Sequence, residues 1–260
     1  MKDFVRAKKH LGQHFLCDEN IARNIVDALL EKDKESAIVE VGPGTGVLTQ
    51  HLILQPNFCA MDVDDESVQF LQEKYPNQKE NIILEDFLQV NLPKIMGPHF
   101  NVIGNFPYNI SSQIMFKVLE NKNHIPIVVG MFQKEVAERL AEKPGSKVYG
   151  ILSVLLQAYY DIEYLFTVNE NVFNPPPKVK SAVIRLTRNQ TQNLGCDEVL
   201  FKKIVKTTFN QRRKTIRNSV RSLFNNNELR FPLLDKRPEQ LSVAQFIELT
   251  HFVEENMKVG

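Results

Sequence analysis

Cysteine is scarce in this chain of 260 residues, which contains only three. Cys17, Cys59 and Cys196 are odd in number and share no C-x-x-C spacing, so the sequence indicates neither a disulfide framework nor a zinc knuckle. Long apolar runs are also missing, because none is long enough to span a bilayer and the basic N-terminus precedes no continuous apolar stretch. We therefore expect a cytoplasmic protein that binds no membrane.

Charge is nearly balanced over the whole chain, at +1, but it is not evenly distributed. The segment from Arg185 to Arg221 carries ten lysines and arginines and only two acidic residues, Asp197 and Glu198. A basic segment in an otherwise acidic chain is typical of a protein that presents one face to a polyanion, most often a nucleic acid. A solvated helix face would have the same composition, so charge alone leaves both interpretations open.

Apolar runs typical of strands alternate with helical patterns, which predicts βαβ units and a parallel sheet. The strand-like runs are Ala37 to Val41, Phe58 to Met61, Ile82 to Leu84, Phe100 to Gly104, Ile127 to Met131, Ile151 to Leu156 and Ser181 to Leu186. Helical patterns cover Val47 to Leu54, Glu66 to Lys74, Ser111 to Glu120 and Lys134 to Glu142. An earlier helix is expected to begin after Asp18, a residue type that caps helices.

A polar segment over residues 188–195 interrupts this alternation. It has no hydrophobic periodicity, so we interpret it as a linker. Beyond it the pattern is wholly helical. The sequence therefore predicts two domains, an α/β domain over residues 1–187 and a small all-helical domain over residues 196–260.

The sequence VEVGPGTGVLT reads as a strand, a glycine-rich turn and the start of a helix. Its glycines allow the backbone to turn tightly and to approach a ligand without interference from Cβ atoms. Asp62 ends the next strand, where a carboxylate can accept hydrogen bonds from both ribose hydroxyls of a nucleoside. A nicotinamide-binding fingerprint would need glycine where Val47 stands. The spacing E-x-G-x-G-x-G, which begins at Glu40, instead resembles motif I of S-adenosylmethionine methyltransferases, with a plain glycine-rich turn as the alternative.

The sequence ILEDFL puts Asp86 and Phe87 just past a third strand, at the same edge of the predicted sheet. An acidic side chain there can accept a hydrogen bond from the exocyclic amine of adenine, while an aromatic ring packs on the face of the base. An isolated Asp-Phe pair is more often a turn beside a core phenylalanine. As the third in a series of strand ends, it favours a nucleoside site.

The sequence GNFPYNISS places an amide, a proline and an aromatic ring at the mouth of the sheet. An adenine amine is a poor nucleophile because its lone pair is delocalised into the ring. Asn105 Oδ1 and the Phe106 carbonyl can accept its two hydrogens and localise that pair, with Pro107 fixing the backbone. Tyr108 offers a face on which an extruded base can stack. In an arbitrary sequence, an ordinary Asn-x-Pro turn would be the first interpretation.

NFPYNIS resembles motif IV of the ribosomal RNA adenine dimethyltransferase family, which usually has leucine where Phe106 stands. Because the role carried over is that of a backbone carbonyl, this change is expected to matter little. KKHLGQHFL is similar to the family's N-terminal motif, VFNPPPKVKS to its F-x-P-x-P-x-V-x-S motif, and FNQRRKTIRNS and RPEQLS to its C-terminal signatures. The resemblance spans nearly the whole chain, and QRRKTIR is more like the housekeeping small-subunit enzymes than the antibiotic-resistance methylases.

The resemblance implies a fold and a site. The fold is a class I Rossmann-like methyltransferase sheet of seven strands, the last one antiparallel, with a small helical C-terminal RNA-binding domain. The methyl donor is S-adenosyl-L-methionine. The cofactor site implied by the resemblance consists of Gln13, His14, Leu16, Glu40, Gly42, Gly44, Asp62, Val63, Asp86, Phe87 and Asn105. The catalytic residues implied around the target base are Asn105, Phe106, Tyr108 and Phe173.

In the family's arrangement Phe173 closes the base from its other side, whereas the residues alone indicate a hydrophobic plug before a proline-stiffened loop. The resemblance also implies a partner, the small ribosomal subunit with its 16S rRNA, and a monomeric enzyme. RNA contacts are expected from five basic residues, Arg212, Arg213, Lys214, Arg217 and Arg221.

The reaction implied is methylation of the exocyclic N6 amines of two adjacent adenosines near the 3′ end of 16S rRNA, together with a role in small-subunit maturation. The amine attacks the methyl group directly, with no covalent enzyme intermediate and no metal. Five histidines show no ligand spacing and are interpreted as structural, namely His10, His51, His99, His124 and His251. A DNA adenine methyltransferase and a noncatalytic assembly factor on the same fold stay as alternatives, although the basic helices favour RNA and an intact Asn105 favours catalysis.

Overall fold

A computed structural model of the chain describes residues 5–224 and 230–256. The chain divides into two compact units, each made of two segments. The first unit comprises Met1–Ala137 and Asp161–Arg188, and the second comprises Glu138–Tyr160 and Asn189–Gly260. The chain therefore enters the second unit once before the predicted linker at 188–195 and again at that linker.

The first unit is built on a seven-stranded sheet. The strands of the chain are β1 (Phe15–Leu16), β2 (Ala37–Val41), β3 (Phe58–Asp62), β4 (Ile82–Leu84), β5 (Phe100–Asn105), β6 (Ile127–Gln133), β7 (Tyr160–Val168), β8 (Phe173–Asn174) and β9 (Ser181–Arg188). The sheet has the order β4-β3-β2-β5-β6-β9-β7, while β1 and β8 pair separately as an antiparallel ribbon. Strands β2 to β6 pair in parallel and β9 runs antiparallel to β6, which confirms the predicted fold class.

Helices precede, connect and follow the parallel strands. In the first part of the chain they are α1 (Glu19–Leu30), α2 (Thr49–Leu52), α3 (Asp65–Lys74), α4 (Leu92–Met96), α5 (Ser111–Glu120) and α6 (Lys134–Ala141). Helix α1 begins where the sequence predicted, because Asp18 accepts hydrogen bonds from the backbone N–H groups of Asn20 and Ile21. Its Ile25 and Leu29 are fully buried, as the helical spacing of these residues required.

The prediction of a strand over Ile151 to Leu156 is wrong, because these residues begin helix α7 (Ile151–Gln157). A short apolar run fits a buried helix as well as a strand, and here local capping decides. Ser153 Oγ accepts a hydrogen bond from Gly150 N at 2.9 Å, which satisfies a backbone donor at the helix start. The seventh strand of the sheet is instead β7 at the sheet edge, where only the end residues Tyr160 and Val168 are buried.

The second unit is helical, and it includes Glu138–Tyr160, which the sequence had assigned to the first domain. Besides α7 it contains α8 (Glu198–Asn210), α9 (Ile216–Val220) and α10 (Val243–Asn256). Asp197 caps α8, and the fully buried Ile204 and Leu249 show where α8 and α10 face the core. Phe209 packs between Tyr149 and Phe246, with ring centroids 6.1 and 6.0 Å away. Among the described residues of either unit, no helix is long and apolar enough to cross a membrane.

Candidate active site

A cavity of about 180 Å³ lies at the carboxyl edge of the parallel strands in the first unit. Successive strand ends meet at one edge of a parallel sheet, which is where such folds bind ligands. The loops after β2, β3, β4 and β5 each contribute to this cavity, and an N-terminal segment covers part of it. Its lining includes Leu11 to Phe15, Gly42, Gly44, Asp62, Val63, Asp86, Leu88 and Asn105 to Ile110.

The glycine-rich loop after β2 brings the backbone close to its neighbours. Gly44 has a φ of +53°, and a Cβ atom there would lie 2.7 Å from the ring of Phe15. Its N–H donates to Asp62 Oδ2 at 3.3 Å. The loop therefore holds a carboxylate at the cavity wall and leaves no side chain in the way of a ligand.

Asp62 ends β3 and is 7% exposed. Its Oδ1 accepts a hydrogen bond from Asp64 N at 2.9 Å, and each carboxylate oxygen keeps a further lone pair for a donor in the cavity. Burial raises the pKa of Asp62, although the hydrogen bonds from backbone N–H groups act in the opposite direction. The neighbouring Val63 is 51% exposed and also lines the cavity.

Glu40 lies behind the cavity wall. It is 1% exposed, and its Oε2 accepts a hydrogen bond from Thr49 Oγ1 at 2.8 Å. Burial raises the pKa of Glu40 to about 8; the hydrogen bond from Thr49 opposes this shift and the charge of Asp62 adds to it. Glu40 thus joins the end of β2 to the start of α2 across the glycine-rich loop, and it is not among the described residues that line the cavity.

After β4, the two residues of the predicted Asp-Phe pair separate in space. Asp86 lines the cavity and accepts a hydrogen bond from Leu88 N at 2.9 Å, whereas Phe87 is buried. The apolar side chains that reach the cavity here are those of Leu88 and Val63. The sequence could not reveal that Leu88 lines the cavity in place of Phe87, because adjacent residues in a turn do not follow a strand or helix period.

Asn105 is the last residue of β5 and lines the cavity. Its Nδ2 donates a hydrogen bond to the backbone oxygen of His14 at 2.9 Å, so the amide oxygen remains as the acceptor. The next ring, that of Phe106, is 1% exposed and packs edge-on against Phe132, with 5.2 Å between centroids. The backbone of Phe106 is held by its N–H, which donates to Met131 O at 3.2 Å.

Tyr108 is fixed at both ends of its side chain. Its hydroxyl forms a hydrogen bond with Ser181 Oγ at 2.5 Å, and its ring stacks on that of His14 with 5.4 Å between centroids. Burial raises the pKa of Tyr108, which the hydrogen bond with Ser181 partly offsets, so the phenol stays neutral near pH 7. Ser181 was part of a recognised motif, but no pattern indicated that it would hold this tyrosine.

The N-terminal segment contributes Gln13 and His14 to the cavity lining. Leu16 lies deeper, at 2% exposure, and is the cross-strand partner of Phe173 in the β1–β8 ribbon. Phe173 is 4% exposed, belongs to the hydrophobic core and is not among the described residues that line the cavity. Its ring therefore lies where the residue pattern alone would put a hydrophobic plug.

The basic residues of the second unit lie around the turn between α8 and α9. Arg213 and Lys214 are exposed in this turn, while Arg212 Nε lies 3.7 Å from Glu239. Arg217, on α9, donates two hydrogen bonds to Asp235, and the exposed Arg221 directly follows that helix. Over residues 5–224 and 230–256, no group of three or more His, Cys, Asp and Glu side chains could hold a metal ion.

The order of the seven strands, the antiparallel pairing of β9 with β6 and a cavity with carboxylates at successive strand ends define a Rossmann-like methyltransferase. Solved structures share this fold. A dimethyladenosine transferase from Plasmodium falciparum superposes with a TM-score of 0.77 and 24% identity, covering 93% of this chain and 98% of that one. The 23S rRNA methyltransferase ErmE gives a TM-score of 0.65 and 24% identity, covering 91% of this chain and 99% of that one.

The chain belongs to the ribosomal RNA adenine dimethylase family, whose model matches residues 4–255. Ribosomal RNA small subunit methyltransferase A of Bacteroides fragilis is 58% identical over 259 residues, which is 98% of this chain and 95% of the relative. The protein of that name from Flavobacterium johnsoniae is 56% identical over 253 residues, 96% of this chain and 97% of the relative. The resemblance found in the sequence is confirmed, and the chain is an S-adenosylmethionine-dependent methyltransferase.

Proposed function

We propose that the chain methylates the N6 amines of two adjacent adenosines near the 3′ end of 16S rRNA, as a monomer in the cytoplasm, and takes part in small-subunit maturation. The observation that carries the proposal is the orientation of Asn105, whose amide nitrogen is engaged by His14 so that its oxygen is left to accept. This acceptor shares a cavity with Asp62 and Asp86. The names of the relatives support the choice of small-subunit RNA as substrate.

The cavity fits the adenosyl part of S-adenosylmethionine. Asp62 can accept from ribose hydroxyls and Asp86 from the adenine amine, while Val63 and Leu88 offer apolar faces to the base. The cofactor supplies, when bound, a methyl group on a sulfonium, which is a good leaving group. Direct contacts are proposed for His14, Gly42, Gly44, Asp62, Val63, Asp86 and Asn105, support from behind the cavity wall for Leu16, Glu40 and Phe87, and positioning of the N-terminal segment for Gln13.

Around the target base, Asn105 Oδ1 and the Phe106 carbonyl accept the two hydrogens of the amine, which localises its lone pair. Tyr108 stacks on the base. Its contacts with His14 and Ser181 already fix the ring, so the side chain loses little conformational entropy when the base binds. The proton of the methylated amine leaves to water, so no strong base is required. The sequence predicts that Phe173 covers the opposite face of the base. This role stays a prediction, because the ring of Phe173 lies in the hydrophobic core.

The second methyl transfer makes an additional demand on the same residues. After one methyl group is attached, the amine keeps a single hydrogen and must rotate to present its lone pair again. Only one of the two acceptors, Asn105 Oδ1 or the Phe106 carbonyl, can then bind that hydrogen. The space beside these acceptors has to accommodate the first methyl group.

The proposal is tested by mass spectrometry of small-subunit RNA from cells that lack the protein. We expect the dimethylated adenosines to be absent, and to return with the parent gene but not with Asn105→Ala. In vitro, Asn105→Ala should slow transfer by about a hundredfold or more, because it removes one charge-stabilising hydrogen bond, and it should reduce cofactor affinity far less.

Each alternative has its own outcome in these experiments. Unaltered RNA modification in cells lacking the protein would exclude 16S rRNA as the substrate. Equal transfer to adenine in a DNA duplex would favour the DNA methyltransferase. Normal subunit maturation with Asn105→Ala, together with no transfer by the parent protein, would favour the noncatalytic assembly factor.

A further inference from the structure

Asp64 lies in the loop between β3 and α3 and takes no part in the reaction described above. It is 2% exposed, and four donors surround its carboxylate. Two come from the first turn of α3, Glu66 N and Ser67 Oγ, each at 3.1 Å. The other two come from the N-terminal segment, namely Lys8 Nζ and, at 3.0 Å, Gln13 Nε2. The buried carboxylate thus anchors residues 8–14, which we call the N-terminal strap.

Gln13 is engaged at both ends of its amide. Its Nε2 donates to Asp64, and its Oε1 accepts a hydrogen bond from Lys8 N at 2.8 Å. The side chain therefore joins the two ends of the strap to each other and to the anchor. This use of both amide atoms differs from the direct cofactor contact that the sequence predicted for Gln13.

His14 follows Gln13 directly and contacts the residues around the target base. Its backbone oxygen accepts the hydrogen bond from Asn105 Nδ2, and its ring stacks on Tyr108. Its Nδ1 lies 2.8 Å from Pro175 O. The location of His14 therefore decides which end of the Asn105 amide is held.

An amide released from His14 can turn over and present its two N–H donors. Such donors cannot accept a hydrogen from the target amine, so the reacting lone pair would no longer be localised. We propose that Lys8, Gln13 and Asp64 are positioning residues for methyl transfer, which act on Asn105 by fixing His14. The inference rests on the proposed function, because it takes Asn105 as the acceptor of the target amine.

Asp64 also links this arrangement to the cofactor side of the cavity. Its N–H donates to Asp62 Oδ1 at 2.9 Å, so one loop carries both the proposed ribose acceptor and the anchor of the strap. Contact of the cofactor with Asp62 and orientation of Asn105 therefore depend on the same short segment. Through this loop, the position of Asp62 is coupled to the orientation of Asn105.

Gln13→Glu tests the proposal with almost no change of shape. It removes the donor to Asp64 and places a second carboxylate beside it, which should release the strap. In single-turnover assays with unmodified small subunits and saturating cofactor, we expect transfer about tenfold slower than the parent and cofactor affinity within about twofold. The double variant Gln13→Glu/Asp64→Asn should recover most of the rate, because the introduced amide can donate to the introduced carboxylate.

A double-mutant cycle with Asn105→Ala separates positioning from a general structural role. If Gln13 acts through Asn105, adding Gln13→Glu to Asn105→Ala should slow transfer by no more than about a further twofold. A multiplicative decrease, with Asn105→Ala itself slow, overturns this inference alone. A parent-like rate for Asn105→Ala overturns the proposed function and this inference with it.

Lys8→Met gives a second test that is independent of Gln13. The matched control is Lys9→Met, since Lys9 is exposed and has no acidic partner in the described part of the chain. With melting temperatures showing that both variants fold, Lys8→Met should be slow and Lys9→Met should match the parent. Equal and undiminished rates for the two variants would contradict a positioning role for the anchor.

Discussion

Three buried carboxylates close to the cavity, those of Glu40, Asp62 and Asp64, differ in the direction of their pKa shift. Burial acts to raise the pKa of each of them. In Glu40 and Asp62 the effect of burial is larger than that of the hydrogen bonds, so the pKa of each is raised and each keeps its proton to higher pH than usual. In Asp64 the hydrogen bonds from Gln13, Lys8 and Ser67 outweigh burial and lower the pKa. Asp64 is thus the carboxylate suited to act as a charged anchor.

Glu40→Gln should remove a pH dependence of stability. The pKa of Glu40 is raised from 4.5 to about 8 in the folded chain. Between these values the unfolded chain has lost this proton and the folded chain has kept it, so the free energy of unfolding falls as pH rises. The slope for one proton is about 1.4 kcal/mol per pH unit. Urea unfolding at pH 5, 6.5 and 8 should show the variant gaining on the parent as pH rises, and parallel profiles would contradict the assignment.

Asp62→Ala and Asp86→Ala should each weaken S-adenosylmethionine binding, because each removes an acceptor from the cavity. The expected decrease in binding free energy is about 1 to 3 kcal/mol, the usual cost of leaving a donor unpaired. Isothermal titration calorimetry measures it directly. Glu85→Ala is a matched control, since Glu85 is exposed and lies outside the described cavity lining. Parent-like affinity in both variants, with the fold intact, would remove the two aspartates from the site.

At the scale of elements, two neighbouring strands make room for the ring of Phe106. Gly104 on β5 and Gly130 on β6 are register partners, and the ring covers both. A Cβ atom at Gly130 would lie 2.2 Å from a ring carbon. Because the backbone of Phe106 carries one proposed acceptor, these glycines contribute to the geometry of the reaction without touching the substrate.

Gly130→Ala should therefore reduce both stability and transfer. Overpacking of a filled core typically costs about 1 to 3 kcal/mol, and here the displaced group is the ring that fixes the Phe106 carbonyl. Thermal unfolding and single-turnover rates measure the two effects. Gly150→Ala is the comparison, because a Cβ atom there would have no neighbour closer than 3.7 Å. Equal effects of the two substitutions would show that Phe106 can move aside freely.

The elements that the sequence predicted are those whose signals are local. Asp18 capped α1, and the run from Ala37 to Val41 became β2 with the same ends, because apolar runs in a parallel sheet are buried on both faces. Helix α7 and strand β7 were missed because a short apolar run has no distinctive period and an edge strand is polar on its open side.

The candidate site was predictable in part, for a related reason. Asp62, Asp86 and Asn105 could be found because topology brings the carboxyl ends of parallel strands together. Lys8 and Ser181 could not, because their contacts with Asp64 and Tyr108 join segments far apart in the chain. No spacing rule connects such segments.

At the scale of the whole molecule, the exposed basic turn of the second unit is the proposed RNA-binding segment. Arg213→Gln/Lys214→Gln should weaken binding to small-subunit RNA and flatten its salt dependence, by about 0.7 to 0.9 in log-log slope for each phosphate that is no longer neutralised. Cofactor affinity should stay the same. Arg212 is left unchanged because it lies beside Glu239. Filter binding over a range of salt concentrations gives the slope.

The matched control for this pair is Lys32→Gln/Lys34→Gln, which removes the same charge from an exposed turn of the first unit. Its salt slope should equal that of the parent. If the Arg213 and Lys214 variant keeps the parent slope while its melting temperature falls, these residues stabilise the fold and do not dock RNA.

The hydrogen bond between Tyr108 and Ser181 joins residues 73 positions apart, and Ser181 begins the strand that fills the gap between β6 and β7. Synthesis runs from the N-terminus, so the tyrosine leaves the ribosomal exit tunnel long before the serine that holds it. Until β9 has emerged, β6 lacks its antiparallel neighbour and the ring of Tyr108 lacks its hydroxyl partner. A nascent chain of this protein therefore contains every described lining residue of the cavity, from Leu11 to Ile110, before the hydroxyl group that fixes Tyr108 has been synthesised.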